Sequence, residues 1–197
     1  MSRHTFFSFH YQRDVQRAAV VRNSWVCKRD RVDAGFFENG LWEKAKQMGG
    51  SGIRRIIGSG MKGTSVTCLC IGHETWSRYW VRYELLKSFA EGKGILGIRI
   101  HGIQNFKHQV DEPGYNPLDY LAFRCEPRGV RLLRKFNGVW AWSEEFPNLI
   151  PWDSVAYDLG GCDYHTFSTL FPVYDWSHSG HDALGGWIES AARYAGR

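Results

Sequence analysis

The sequence has 197 residues, enough for one domain with a sizeable core, and its 43% hydrophobic content, including nine Trp, can fill that core. The formal net charge of +5 suits an anionic small ligand, a nucleic acid or simply a solvated surface. No run approaches the roughly 18 apolar residues of a membrane span. Met1 to Tyr11 lacks the apolar centre of a signal peptide, so a soluble, cytoplasmic protein with no membrane partner is expected.

The chain reads as alternating strands and helices. Thr5 to Phe9 is a short apolar strand, His10 to Asp14 a turn in which Asp14 caps the next element, and Val15 to Trp25 a helix. Asp33 to Glu38 is a second short strand or loop. Leu41 to Ile57 is helical but interrupted by Gly49, Gly50 and Gly52. Thr64 to Ile71, rich in β-branched and other apolar residues, suits a strand buried on both faces. It feeds a helix from about Ser77 to Phe89, and Gly94 to Ile103 is a further buried strand. This order is that of an open, doubly wound α/β sheet with helices on both faces.

After about Gln104 the pattern changes. Asn105 to Asp119 is loop-like, and Asn137-Gly138 between two apolar runs signals a β-hairpin with a type I′ turn. The expectation is one domain, 1–197, with an antiparallel insertion at about 105–168 in its C-terminal third. Phe171 to Trp176 is a last short strand or loop. Ala183 to Tyr194 closes the chain as a helix, with Leu184, Trp187, Ile188 and Ala191 on one face.

Several chemistries fail on spacing. There is no H-E-x-x-H, and His178 and His181 lie in a Gly-Ser-Asp loop, so no metal site is expected. Neither Gly49–Gly52 nor Gly58–Ser65 has P-loop spacing, and no G-x-G-x-x-G follows the first strand. The five Cys have no framework spacing and read as small buried residues in a reducing compartment. Cys68 and Cys70 are expected on opposite sides of their strand, and not as a redox pair. Basic charge with many aromatics raises nucleic-acid binding, but the aromatics fall at core spacings and no RNA-binding signature appears, so no nucleic-acid partner is expected.

One constellation survives. Trp80 and Glu84 stand four apart, one turn from each other on one helix face. Ser8, Phe9 and His10 lie where the first strand leaves the sheet, next to the strand that feeds this helix. Both border the crevice at the topological switch point of a 2-1-3-4 sheet. Phe9 and Trp80 are expected to sandwich a flat ring. Ser8 and His10 are expected to diverge, which argues against a Ser-His nucleophile.

The segments FFSFHY (Phe6–Tyr11), VVRNSWV (Val20–Val26), AGFF (Ala34–Phe37), LWEKAK (Leu41–Lys46), KGTSVTCLCIG (Lys62–Gly72), WVRYE (Trp80–Glu84), NPLDYL (Asn116–Leu121) and PVYDW (Pro172–Trp176) resemble the bacterial TIR-like proteins of the Thoeris anti-phage system, its ThsB component. The resemblance covers nearly the whole chain. It implies a flavodoxin-like TIR fold and an NAD+ glycohydrolase/cyclase that makes a cyclic ADP-ribose-type signal for a separate effector, ThsA. NAD+ would be the substrate, and no cofactor is implied. W-V-x-x-E carries the catalytic role onto Glu84. Phe6, Ser8, Phe9, His10 and Trp80, with Asp33, Phe36 and Phe37 of the loop after strand two, become substrate-binding walls. That loop is shorter and richer in Gly than in receptor TIR domains. A phage-derived trigger and a homo-oligomer are the further partners weighed. The alternative is a non-catalytic sensing or assembly module acting through the aromatic insertion.

Overall fold

A computed structural model describes residues 3–26, 32–34, 47–160 and 163–197; for 32–34 it describes the backbone. Among the described residues, five strands form one parallel sheet: β1 (His4–Ser8), β2 (Val32–Ala34), β3 (Val66–Ile71), β4 (Gly94–Arg99) and, after the insertion, a final strand Val173–Asp175. Their order is final strand, β4, β3, β1, β2, with every neighbouring pair parallel. This is the doubly wound order expected from the alternation of strands and helices, and the flavodoxin-like arrangement that the resemblance implies.

Burial explains why these segments are strands. All six residues of β3 are buried, as are five of the six in β4. Helix α1 (Tyr11–Val26) lies on one face with Ala18, Val21 and Trp25 inward, together with the last helix, Gly180–Tyr194. Helices α2 (Gly49–Met61) and α3 (Tyr79–Ala90) lie on the other. Gly49, with φ +70°, opens α2, which then runs unbroken through Gly50 and Gly52 because Ile53, Ile57 and Met61 bury one stripe.

Three expectations need correction. Asp14 does not cap α1; the helix begins at Tyr11, and Asp14 is fully buried within its first turn. Cys68 and Cys70 both join the core on the α1 side, because strand alternation has period two and residues two apart share a face. Cys125 is disulfide-bonded rather than reduced.

The insertion is a second, antiparallel sheet: β5 (Leu121–Glu126), β6 (Gly129–Phe136), β7 (Val139–Trp142), β8 (Ile150–Pro151) and β9 (Tyr164–Thr166). Its order is β7-β6-β5-β9, with β8 pairing β6. Asn137 and Gly138 take φ of 48° and 81°, as a type I′ turn requires, and Phe136 pairs with Val139 across it. With this sheet numbered through β9, the final parallel strand is β10, and the closing helix is α4. The inner face of the second sheet packs on the outer side of α3. Phe89 stacks on Phe123, Tyr157 and Phe167 at centroid distances of 5.4, 5.0 and 5.1 Å.

Helix α4 crosses the start of β4 so closely that a Cβ on Gly94 would stand 2.5 Å from the Ala191 carbonyl oxygen. A backbone atom cannot swing aside, so Gly94→Ala should lower stability by about 2 kcal/mol. The measurement is a denaturant midpoint that falls while the slope stays constant.

Candidate active site

The site lies where β1 and β3 leave the sheet. Phe6 and Ser8 point to the α2/α3 side of β1, because residues two apart share a face. Phe6 packs with Ile53, Ile57 and Met61, and Trp80 and Tyr83 rest on that cluster. One turn beyond Trp80, Glu84 meets the tip of β1, and the Ser8 hydroxyl donates to Glu84 Oε2 at 2.5 Å. Glu84 is only 6% exposed and Ser8 1%. The structure therefore brings together Phe6, Ser8, Trp80 and Glu84.

It divides the remaining candidates. Phe9 does not face Trp80 across a ring. It lies on the opposite, α1 side with Phe7, against Tyr11 at 6.1 Å, because β1 alternates. His10 lies past the end of β1, buried at the entry to α1, and its carbonyl accepts from Asp14 N at 2.8 Å. No hydrogen bond joins it to Ser8, whose hydroxyl is committed to Glu84. Asp33 lies within β2, level with Thr5 and not in the loop after the strand. Phe36 and Phe37 fall outside the described residues.

Burial dominates the electrostatics. It pushes the Glu84 carboxyl up to about 8, and the Ser8 hydrogen bond offsets only part of that. Asp14 is also pushed up, to about 6, by burial, against a hydrogen bond from Thr75 and the nearby Arg17. His10 is lowered, first by burial and then by Arg78.

A second layer of residues, with no sequence motif to announce it, braces the crevice. Thr75 Oγ1 accepts from Gly72 N at 2.9 Å and donates to Asp14 Oδ2 at 3.0 Å, tying the exit of β3 to α1. Gly72 is the residue that lets Asp14 in, since a Cβ there would overlap the carboxylate. Arg17 donates to the Ile103 carbonyl at 2.8 Å and lies 3.4 Å from Asp111, while Arg13 holds Asp111 through two hydrogen bonds. The loop after β4 is thereby strapped across the top, with Gly114 against the Gly72 and His73 carbonyls. The side-chain contacts of Asp14 with Thr75, and of Arg13 and Arg17 with the loop after β4, pair residues about 60 to 100 positions apart, beyond the reach of local periodicity. Among the described residues no group of three or more His, Cys, Asp or Glu is placed to hold a metal.

A family model for the Thoeris protein ThsB, TIR-like domain, matches residues 6–105, which carry the end of β1, β2 to β4, α1 to α3, Ser8 and Glu84. A curated protein of Bacillus cereus (strain MSX-D12), "Putative cyclic ADP-D-ribose synthase ThsB1", is 36% identical over 194 residues. That is 95% of this chain and 100% of the relative. The chain belongs to the ThsB TIR-like family. Since the relative aligns along its whole length, its alignment to this ThsB-family chain extends past the family model's end at residue 105 and takes in most of the second sheet.

The buried acid of this ThsB-family domain sets a pH-dependent stability. Native Glu84 keeps its proton up to about pH 8, whereas the unfolded chain releases it near 4.5. The native state therefore binds more protons, and stability is fully present below 4.5 and lost as pH rises through about 8. Glu84→Gln should match wild type near pH 4 and exceed it at pH 8.5 by on the order of a few kcal/mol. Denaturant titrations at the two pH values measure this.

Proposed function

We propose that the protein cleaves NAD+ at the nicotinamide–ribose bond and closes the ADP-ribose product into a cyclic isomer. This isomer signals to a separate effector, ThsA, in Thoeris anti-phage defence. The observation that carries the reading is the dry carboxyl of Glu84, hydrogen-bonded to Ser8 at the mouth of the sheet beside Trp80. Kinship with a protein named as a cyclic ADP-ribose synthase supports the same chemistry.

The bond that breaks joins the anomeric carbon to the pyridinium nitrogen. Its electron pair goes to the nitrogen, so nicotinamide leaves as a neutral base without a general acid. The sugar is left with oxocarbenium character, as in glycoside cleavage. A carboxylate facing that carbon stabilises the developing charge strongly in a site of low dielectric. Glu84 rests protonated, and the cationic pyridinium arriving beside it favours the ionised form. Phe6 and Trp80 supply the apolar wall that excludes water. A nucleophile within ADP-ribose then forms the new bond to the anomeric carbon and releases a proton, which Glu84 accepts. Attack by water instead yields linear ADP-ribose, the glycohydrolase outcome.

A phage-derived trigger is part of this reading, so activity is best assayed in extracts of infected cells that express the protein. NAD+ loss and cyclic product, followed by chromatography and mass spectrometry, should fall at least about 100-fold in Glu84→Gln. Turnover equal to wild type would remove Glu84 from the chemistry. Because the ionised carboxylate is the working form, kcat/KM should rise with pH and reach half its maximum near the free-enzyme value of about 8. A profile flat from pH 6 to 9 would contradict that assignment.

A further inference from the structure

The structure assigns to Arg78, His10 and the two helix starts beside them a subsite for a diphosphate, the central linkage of a dinucleotide. The assignment rests on the reading that NAD+ is the substrate, and it names residues that hold the part of the molecule that does not react.

Strands β1 and β3 are parallel neighbours, and each runs into a helix at the same edge of the sheet. His10 precedes α1, of 16 residues, and Arg78 occupies the N-cap of α3, of 12 residues. Each helix start offers backbone N–H groups without intrahelical acceptors and the positive end of a helix dipole. An N-cap normally carries Ser, Thr, Asp or Asn, whose oxygen accepts from those N–H groups. Here the position holds a cation and no side chain caps it. A guanidinium at a positive pole is unfavourable alone and becomes favourable once an anion sits between them.

Two buried nitrogens at this place lack partners. His10 is 8% exposed and its Nδ1 has no hydrogen bond; Arg78 Nε is also buried and unbonded. Leaving such groups unpaired is costly, and an orphaned buried donor or acceptor calls for a partner such as a water, an ion or a ligand. Arg78 lies near enough for its charge to act on His10, and Glu74 binds both Arg78 and, at 2.7 Å, Arg13 in the first turn of α1. Glu74 is the resident counter-ion that an incoming diphosphate would displace. Spacing fits as well. His10 is two residues past Ser8, about 7 Å along an extended chain. That is the scale separating a ribose held at Glu84 from the phosphates joined to its 5′ carbon.

Inorganic pyrophosphate, titrated onto the full chain by calorimetry, tests the subsite without any turnover. Wild type should bind it, with a shift of the His10 ring nitrogen resonances on saturation. Arg78→Gln should weaken binding about tenfold. Glu74→Gln should strengthen it several-fold by freeing Arg78, a gain that a damaged fold cannot produce. Glu84→Gln should bind as wild type does, so loss of NAD+ cleavage in that variant leaves the subsite standing. Absence of binding to wild type, an unmoved His10 resonance, or equal affinity in Arg78→Gln and Glu74→Gln would overturn the assignment.

Discussion

The candidate site and the chemistry proposed for it depend on one hydrogen bond, from the Ser8 hydroxyl to the Glu84 carboxyl, made where almost no water reaches. Two periodicities bring its ends together. The pleat of β1 turns Ser8 to the same side as Phe6, and the turn of α3 sets Glu84 one step beyond Trp80. Burial then does two opposed things. It keeps the acid neutral at rest, and it makes the ionised form a strong partner for a positive charge that appears beside it. A carboxylate in bulk water would be charged always and effective little.

The surrounding architecture keeps that pair in register. Asp14, Thr75 and Gly72 link the exits of β1 and β3 through buried hydrogen bonds, and Arg13, Arg17 and Asp111 draw the loop after β4 over them. The parallel sheet places both strand ends at one edge, and the next helices begin there with their positive poles forward. Glu84 and the proposed diphosphate subsite thus meet at the same pair of β-to-α junctions.

Much of this was legible in the residues. The apolar run of β3 announces a doubly buried strand, the four-residue spacing of Trp80 and Glu84 gives their shared face, and Asn137-Gly138 marks the hairpin. Other features were hidden for physical reasons. Phe9 and Phe6 look alike in sequence, and only the position of the strand end decides which faces α3. Asp14 resembles a helix cap until its burial against Thr75 is seen, because that contact spans 61 residues. Strands β8 and β9 have two and three residues, too few for a period to show. The glycines suggest a break, and it falls at Met48 and Gly49, where a turn and a φ of +70° open α2; the helix then runs on through Gly50 and Gly52. The Cys125 disulfide has no framework spacing to reveal it.

Helix α3 belongs to two cores at once. Five residues after Glu84, Phe89 is wedged among the rings of Phe123, Tyr157 and Phe167, and Arg82 reaches back to the Lys135 carbonyl on β6. Over so short a distance an α-helix behaves as a stiff shaft, with rise and rotation coupled at every residue. The acid at one side of that shaft and the aromatic stack at the other therefore turn as a single mechanical body. A push on the appended sheet is a push on the carboxyl itself.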